Sequence, residues 1–198
     1  MRRCLIPLSL AGLLLTACNP SAPAPQAADP VVPEPSVAEL QADAPAEVAA
    51  TATLAATAGN QVAGQIHFIR ADGGLRASGR ITGLTPGSSH GFHIHETGDC
   101  SAADGSSAGG HFNPAAVDHG KVDAEPHHAG DMPNLQADDQ GMAVVDGPVS
   151  SLVTIGDGGE FDILGRGLIV HADPDDYTSQ PTGNAGARLA CAVITPGG

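Results

Sequence analysis

Two histidines, His93 and His95, stand two residues apart in the apolar stretch 91–95. Alternate residues of a β-strand point to the same face, so both imidazole rings can reach one point in space. A shared metal ion requires that convergence. More histidines follow in the segment 97–140, which is rich in Gly, Asp and Pro, and these are His111, His119, His127 and His128. The pattern predicts a metal site built from one strand and a long loop.

Composition indicates that strands, and not helices, must position these histidines. The chain has 198 residues, which favours one domain with appendages. It contains 26 Gly, one Tyr and no Trp, which is typical of a small β-rich domain with many turns and unlike a helical bundle. The formal net charge of −14 argues against nucleic acid and anionic membrane surfaces as binding partners.

The first residues predict export and lipidation. Residues 1–17 combine a short basic start with an apolar run that is too short to span a bilayer, as in a secretory signal peptide. The run ends Leu15-Thr16-Ala17-Cys18, which resembles the lipobox of bacterial lipoproteins, so Cys18 is the expected lipidation site. A simple signal peptide with a chance cysteine is the alternative. We expect a lipid-anchored protein that faces the periplasm, and Asn19 after the cysteine favours the outer membrane.

Residues 18–48 are expected to form a disordered tether between the lipid and the folded domain. The stretch is rich in Ala, Pro, Glu and Asp and has no aromatic residue, so it cannot bury enough surface to offset its ordering entropy. An Ala-rich helix is the alternative. Seven prolines weaken that alternative, namely Pro20, Pro23, Pro25, Pro30, Pro33, Pro35 and Pro45.

Residues 49–198 are predicted to fold as an all-β domain. Turn signals separate eight short strand-like segments, which are 51–58, 65–70, 75–81, 90–95, 142–145, 153–155, 166–171 and 188–194. Such a series favours an eight-stranded Greek-key β-barrel or sandwich, immunoglobulin-like in architecture. Segments 97–140 and 172–187 are not strand-like, and loops of that length in a compact domain are usually functional or disordered. The four histidines of the first segment favour a function.

Cysteine arithmetic predicts one disulfide. Cys4 would leave with the signal peptide and Cys18 would carry lipid, so Cys100 and Cys191 remain as an even pair in an oxidising compartment. A bond between them would close a loop of about ninety residues, for which the loop-entropy relation gives roughly 4–5 kcal/mol of stabilisation.

Three separate runs carry a family resemblance. The runs Gly91-Phe92-His93-Ile94-His95-Glu96, Gly110-His111-Phe112-Asn113-Pro114 and Gly183-Asn184-Ala185-Gly186-Ala187-Arg188-Leu189-Ala190-Cys191 resemble copper/zinc superoxide dismutase. They occur in the family's order, and the resemblance covers essentially all of residues 49–198. It implies copper and zinc as cofactors and the dismutation of superoxide to oxygen and hydrogen peroxide as the reaction.

The resemblance also implies a role for each ligand. The copper ligands would be His93, His95, His111 and His171, with His111 bridging both metals. The zinc ligands would be His111, His119, His128 and Asp131. The residue chemistry agrees, because imidazoles suit both oxidation states of copper, and three histidines with one carboxylate are typical of structural zinc.

Some positions near the ligands stay open. His127 neighbours His128 and competes with it, although the spacing to Asp131 favours His128. Asp175 lies four residues after His171, where the family places an aspartate that links a copper histidine to a zinc histidine, and Asp176 is the alternative. Of the two other histidines, His90 would support the copper strand through hydrogen bonds, and His67 would be an ordinary strand residue.

Arg188 is expected to hold the superoxide anion beside the copper, because a guanidinium is always charged and donates well to anions. The Cys100–Cys191 disulfide would help to hold it there. Eukaryotic members carry lysines in the loop before the arginine, whereas residues 172–187 contain none. Lys121 is the nearest alternative cation, so we expect weak electrostatic steering of the substrate.

Two other functions compete with superoxide dismutation. A non-enzymatic copper- and zinc-binding lipoprotein would share the histidines but would not need Arg188 or a bridging His111. A structural β-sandwich lipoprotein with a decayed site is the second alternative, and it is disfavoured because every ligand position is retained. No surface patch in the sequence decides between a monomer and a homodimer.

Overall fold

The computed structural model describes residues 47–71 and 73–197, and their regular structure is almost entirely β. A single three-residue 3-10 helix, Ser106–Ala108, interrupts the strands. The strands in chain order are β1 (Val48–Ala56), β2 (Ala63–Ala71), β3 (Gly74–Thr82), β4 (Ser89–His90), β5 (Phe92–His95), β6 (Leu135–Gln136), β7 (Ala143–Pro148), β8 (Gly167–His171), β9 (Arg188–Val193) and β10 (Thr195–Pro196). Within these residues, no helix has the length and apolarity needed to span a membrane.

One antiparallel sheet contains eight of the strands. Its order is β5-β8-β9-β1-β2-β3-β7, with β10 paired to β1 beside that path, and β4 and β6 form a separate two-stranded ladder. Alternation decides the inner face, as in β2, where Ile66 and Phe68 are fully buried and His67 between them is half-buried. The curled sheet encloses one apolar core, so the predicted all-β Greek-key barrel is confirmed.

Strand β5 lies at one end of the sheet order and separates the core from the candidate ligand side chains. Phe92 and Ile94 point into the apolar core, and His93 and His95 point to the opposite face. All four side chains are buried, because the long loop after β5 covers the outer face. Strand β8 pairs with β5 and ends at His171, which brings a third histidine to the same region.

Two predicted strands, 153–155 and 90–95, differ from the structure by more than shifts of up to three residues at their ends. The segment 153–155 is not a strand, and the prediction was wrong there: Thr154 makes only an isolated bridge to Asp162. The carboxylate of Asp162 accepts three main-chain N–H groups of the surrounding turn, so these amides are unavailable to a ladder. Val153 and Ile155 belong to a loop, yet their side chains are buried, which explains their apolar character.

The predicted strand 90–95 is divided at Gly91 into β4 and β5. A Cβ at Gly91 would lie 2.8 Å from the Cβ of Ala185, so only glycine allows the second long loop to approach here. The Gly91 N–H donates to Asp173 O at 2.8 Å, outside any ladder. The two-residue strands β6 and β10 were not predicted.

Residues 1–46 lie outside the described part of the chain, and so do the predicted signal peptide, Cys18 and nearly all of the predicted tether. Strand β1 begins at Val48, one residue before the predicted start of the domain.

Candidate metal centre

Two groups of buried side chains converge on the outer face of β5. In each group, one ligand atom per residue lies within 4.8 Å of the ligand atoms of the others. The first group is His93, His95, His111 and His171, and the second is His111, His119, His128 and Asp131. The shared member is His111. These are the two ligand sets that the family resemblance implies.

The free edge of β5 places the loop residues against the strand. Ile94 N–H donates to Gly130 O at 2.9 Å, and Phe112 N–H donates to Ile94 O at 2.9 Å. Isolated bridges therefore set His111 opposite His95 and Asp131 opposite His93. The loop between β5 and β6 forms hydrogen bonds with the free edge of β5. This pairing places His111 and Asp131 of the loop beside His95 and His93 of the strand.

A hydrogen bond to the second ring nitrogen orients several of these histidines. His95 Nδ1 donates to Gly109 O at 2.9 Å, His171 Nδ1 donates to Gly186 O at 3.3 Å, and His128 Nε2 donates to Val117 O at 3.0 Å. The other nitrogen of each ring is then the unprotonated one, and it faces its group.

Asp175 joins the two groups. Its carboxylate accepts from His93 Nε2 at 2.8 Å and from His119 Nε2 at 2.9 Å, and its side chain is fully buried. Although burial opposes ionisation, the hydrogen bonds from the two imidazoles hold the pKa of Asp175 well below its usual range. Asp176, the alternative, is exposed and binds residues of its own loop, including Ser179 at 2.6 Å.

The donor set fits metal ions. His93 Nδ1, His111 Nε2 and His128 Nδ1 are buried nitrogens without a hydrogen-bond partner among the described residues. His93 belongs to the first group, His128 to the second and His111 to both. Buried polar atoms are seldom left unpaired, and one metal ion in each group would satisfy all three. Asp131 completes the fit, because Oδ2 accepts the His128 N–H at 2.8 Å and Oδ1 lies 2.9 Å from His111 Nδ1.

The protonation states in the first group favour metal binding. Burial lowers the pKa of His93 to about 4 and the pKa of His171 to about 3, and it also lowers the pKa of His95. These rings are therefore neutral near pH 7 and have a free lone pair. In the second group, burial opposes the charged form of His119, but hydrogen bonds to Asp131 and Asp175 outweigh it and raise the pKa to about 9. His119 is therefore charged near pH 7 in the metal-free protein, whereas burial lowers the pKa of His128 in the same group.

Arg188, the first residue of β9, is hydrogen-bonded to the loop that carries His111. Nη1 donates to Gly105 O at 2.7 Å, and Nη2 donates to Gly109 O at 2.5 Å. Gly109 O also accepts from His95 Nδ1, so a single carbonyl orients both a ring of the first group and the guanidinium. Gly109 has φ 73° and ψ −153°, a conformation open essentially to glycine alone.

The predicted disulfide is confirmed, because Cys100 and Cys191 are bonded. Cys100 stands in the same loop as Gly105 and Gly109, and Cys191 lies three residues after Arg188 in β9. The bond therefore fixes the carbonyls to the strand that carries the guanidinium.

The other histidines lie outside both groups. His90 Nδ1 donates to His171 O at 2.8 Å, which agrees with its predicted supporting role. His127 is buried and contacts Ala124 O at 2.8 Å and the hydroxyl of Ser150 at 3.0 Å, so it anchors its loop and is not a member of a group. Sequence reasoning missed the contribution of Gly109, because a carbonyl acceptor leaves no side-chain signal.

Fold and site together define the class of this chain: a Greek-key β-barrel with adjoining histidine-rich sites for two metals. A family model for copper/zinc superoxide dismutase (SODC) matches residues 62–194. The chain belongs to the copper/zinc superoxide dismutase family. The predicted enzyme class, superoxide dismutase, and the predicted cofactors, copper and zinc, are confirmed at the level of the family.

Individual relatives agree. The chain is 41% identical over 137 residues to "Superoxide dismutase [Cu-Zn] 2" of Aquifex aeolicus (strain VF5), covering 68% of this chain and 80% of that protein. It is 44% identical over 142 residues to "Superoxide dismutase [Cu-Zn] 2" of Mesembryanthemum crystallinum, covering 68% and 88%.

Solved structures are similar as well. A SOD-like protein from Bacillus subtilis matches with a TM-score of 0.65 and 38% identity, covering 72% of this chain and 96% of that one. The clock protein EA4 matches with a TM-score of 0.66 and 36% identity, covering 75% and 94%.

Proposed function

We propose that this protein dismutates superoxide in the bacterial cell envelope, converting two superoxide anions and two protons into oxygen and hydrogen peroxide. The observation that carries the proposal is the double membership of His111. Its Nδ1 lies 2.9 Å from Asp131 Oδ1 in the second group, and its Nε2 is buried and unpartnered in the first group. A metal store would not need one ring to serve two ions.

In this proposal the first group holds copper through His93, His95, His111 and His171, and the second holds zinc through His111, His119, His128 and Asp131. Copper, when bound, supplies the one-electron redox chemistry, and zinc is structural. Asp175 keeps one ring of each group in a fixed tautomer, so the two sites are oriented together.

Arg188 and His111 are the proposed catalytic residues. The guanidinium is half-buried and held by two carbonyls, so it presents a fixed positive charge to a small anion beside the first group. Burial lowers the pKa of Arg188, yet a guanidinium remains charged at any physiological pH. His111 Nε2 is the proposed site of the proton that is delivered as superoxide is reduced to peroxide, because it has no hydrogen-bond partner among the described residues, whereas Nδ1 lies against Asp131 of the second group.

We expect little long-range steering of superoxide. Residues 172–187 lack lysine, and Lys121 forms an exposed ion pair with Asp123 at 2.9 Å. Asp104 opposes the field of Arg188: hydrogen bonds from Ser106 lower the pKa of Asp104, and the nearby Arg188 charge lowers it further. These residues therefore give no wide region of positive potential that would attract superoxide to the site.

The envelope location is proposed from the lipobox alone. We expect Cys18→Ala to release the protein from the membrane fraction and to abolish labelling by radioactive palmitate. Density-gradient separation of the two membranes tests the preference for the outer membrane. Labelling that survives in the variant would contradict the assignment of Cys18.

The activity is tested with purified, oxidised protein loaded with copper and zinc. We expect one copper and one zinc per chain and rapid superoxide consumption, which falls at least tenfold in Arg188→Ala through loss of the anion donor. Arg76→Ala is the matched control, because Arg76 pairs with Asp146 on an exposed part of the sheet. Full metal occupancy with negligible activity would favour the non-enzymatic metal-binding lipoprotein instead.

A further inference from the structure

The two long loops contact each other through the side-chain amide of Gln180, which forms two hydrogen bonds with the main chain of His119, a proposed zinc ligand. His119 N–H donates to Gln180 Oε1 at 2.8 Å, and Gln180 Nε2 donates to His119 O at 2.9 Å. Gln180 belongs to the loop between β8 and β9, and His119 belongs to the loop between β5 and β6. One side chain thus satisfies both main-chain polar groups of a residue 61 positions away.

A second amide makes the same contact in the opposite direction. Asp175 N–H donates to Asn134 Oδ1 at 2.9 Å, and Asn134 Nδ2 donates to Asp175 O at 2.8 Å. The Tyr177 hydroxyl accepts the Asn134 N–H at 2.9 Å, which holds Asn134 in turn. In each loop, therefore, one amide side chain forms two hydrogen bonds with the main chain of a site residue in the other loop.

His119 depends on Gln180 because it lies in a stretch without regular structure. No strand partner holds its main chain, and within the described residues both of its main-chain polar groups are satisfied by Gln180. The imidazole is oriented by Asp131 at 3.0 Å and Asp175 at 2.9 Å, but those bonds do not fix the main chain. Gln180 fixes the point from which the ring extends.

We infer that Gln180 is a positioning residue for the zinc site, which acts through the main chain of His119 and couples the second long loop to zinc affinity. The inference rests on the proposed function only in taking His119 as a zinc ligand. It concerns zinc binding, so it can be tested without any measurement of superoxide turnover.

The test measures zinc binding to copper-free protein by competition with a chromophoric chelator. An ordinary hydrogen bond corresponds to about a fivefold change in an equilibrium constant, so loss of both bonds in Gln180→Ala should weaken zinc binding about 5- to 30-fold. Gln180→Glu keeps the acceptor for the His119 N–H and loses the donor to His119 O, so we expect an intermediate loss. The visible spectrum of Co²⁺ bound in place of zinc should shift in both variants.

Ser179→Ala is the matched control. The Ser179 hydroxyl bonds to Asp176 at 2.6 Å and to Asn184 at 2.8 Å, and it touches no proposed ligand. Zinc affinity within twofold of wild type in both Gln180 variants, with an unchanged Co²⁺ spectrum, would overturn the inference. An equal loss in Ser179→Ala would overturn it too, because the loop would then act through its general stability. If the wild-type protein itself fails to bind zinc, the proposed function fails instead.

Discussion

Removal of the Cys100–Cys191 disulfide tests how the loop after β5 is held against β9. The bond joins residues 91 positions apart. The loop-entropy relation gives a loss of about 4–5 kcal/mol in the free energy of unfolding when a loop of that length is opened. For a domain of this size, the same loss corresponds to a fall of roughly 8–20 °C in Tm. The variant is Cys100→Ala combined with Cys191→Ala.

The same variant should also lose activity, because the freed loop carries the carbonyls that hold Arg188. Gly105 O and Gly109 O accept from the two terminal nitrogens of the guanidinium. A small displacement of a positioned catalytic group is costly, so we expect kcat/KM to fall roughly tenfold. Affinity for a small anion such as azide should weaken in parallel, since the anion would meet a less ordered guanidinium.

The free energy of unfolding is measured by chemical denaturation of metal-free protein, because bound metal adds stability by mass action and would mask the loss. Wild-type protein in excess dithiothreitol is the control, and it should unfold at the same denaturant concentration as the double variant. A loss below about 2 kcal/mol would refute the chain-entropy reasoning. Unchanged azide affinity in the metal-loaded variant would refute the proposed link from the disulfide to Arg188.

Three further predictions follow from the site. Asp175→Asn should weaken zinc binding about 10- to 100-fold, because it removes the charge that His93 and His119 share, and chelator competition measures the change. The rate of dismutation should fall less steeply with ionic strength than in a relative with lysines before the arginine, and a steep fall in stopped-flow assays would contradict weak steering. Metal-free protein should lose stability as pH falls from about 6.5 to about 4, because burial lowers the pKa of His93 to about 4 and of His171 to about 3, so unfolding takes up protons over this range. The pKa of His119 is raised to about 9, so the stability that His119 contributes is lost only as pH rises above 6.5. Equal denaturation midpoints at about pH 7 and pH 5 would contradict the predicted loss of stability in acid.

Local periodicity was sufficient to predict the centre of the site. The alternation Phe92-His93-Ile94-His95 places two apolar side chains in the core and two rings on the outer face, as the structure has them. The same reasoning failed at 153–155, where the apolar residues are buried although they lie in a loop, next to a turn that Asp162 stabilises. Apolar side chains report burial, and a short run cannot distinguish a strand from a buried loop.

Contacts between the loops could not be predicted from the sequence. Gln180 meets His119 across 61 residues, and Asn134 meets Asp175 across 41. Both are polar residues in Gly- and Asp-rich segments, where composition indicates only a loop. Family resemblance supplied the candidate ligands, whose order and spacing match the family, but the main-chain hydrogen bonds that orient them depend on the three-dimensional path of each loop.

The position of β5 at the end of the sheet order explains how one strand can organise both metal groups. A central strand would have both edges occupied, whereas β5 offers a free edge to the loop that follows it. That edge binds Phe112 and Gly130, the neighbours of His111 and Asp131, so loop ligands are delivered by ordinary strand hydrogen bonds. The second loop is then needed to complete the zinc group, since His119 has no strand to hold it and relies on Gln180. The barrel edge therefore positions His111 and Asp131, and the contact between the two loops positions His119.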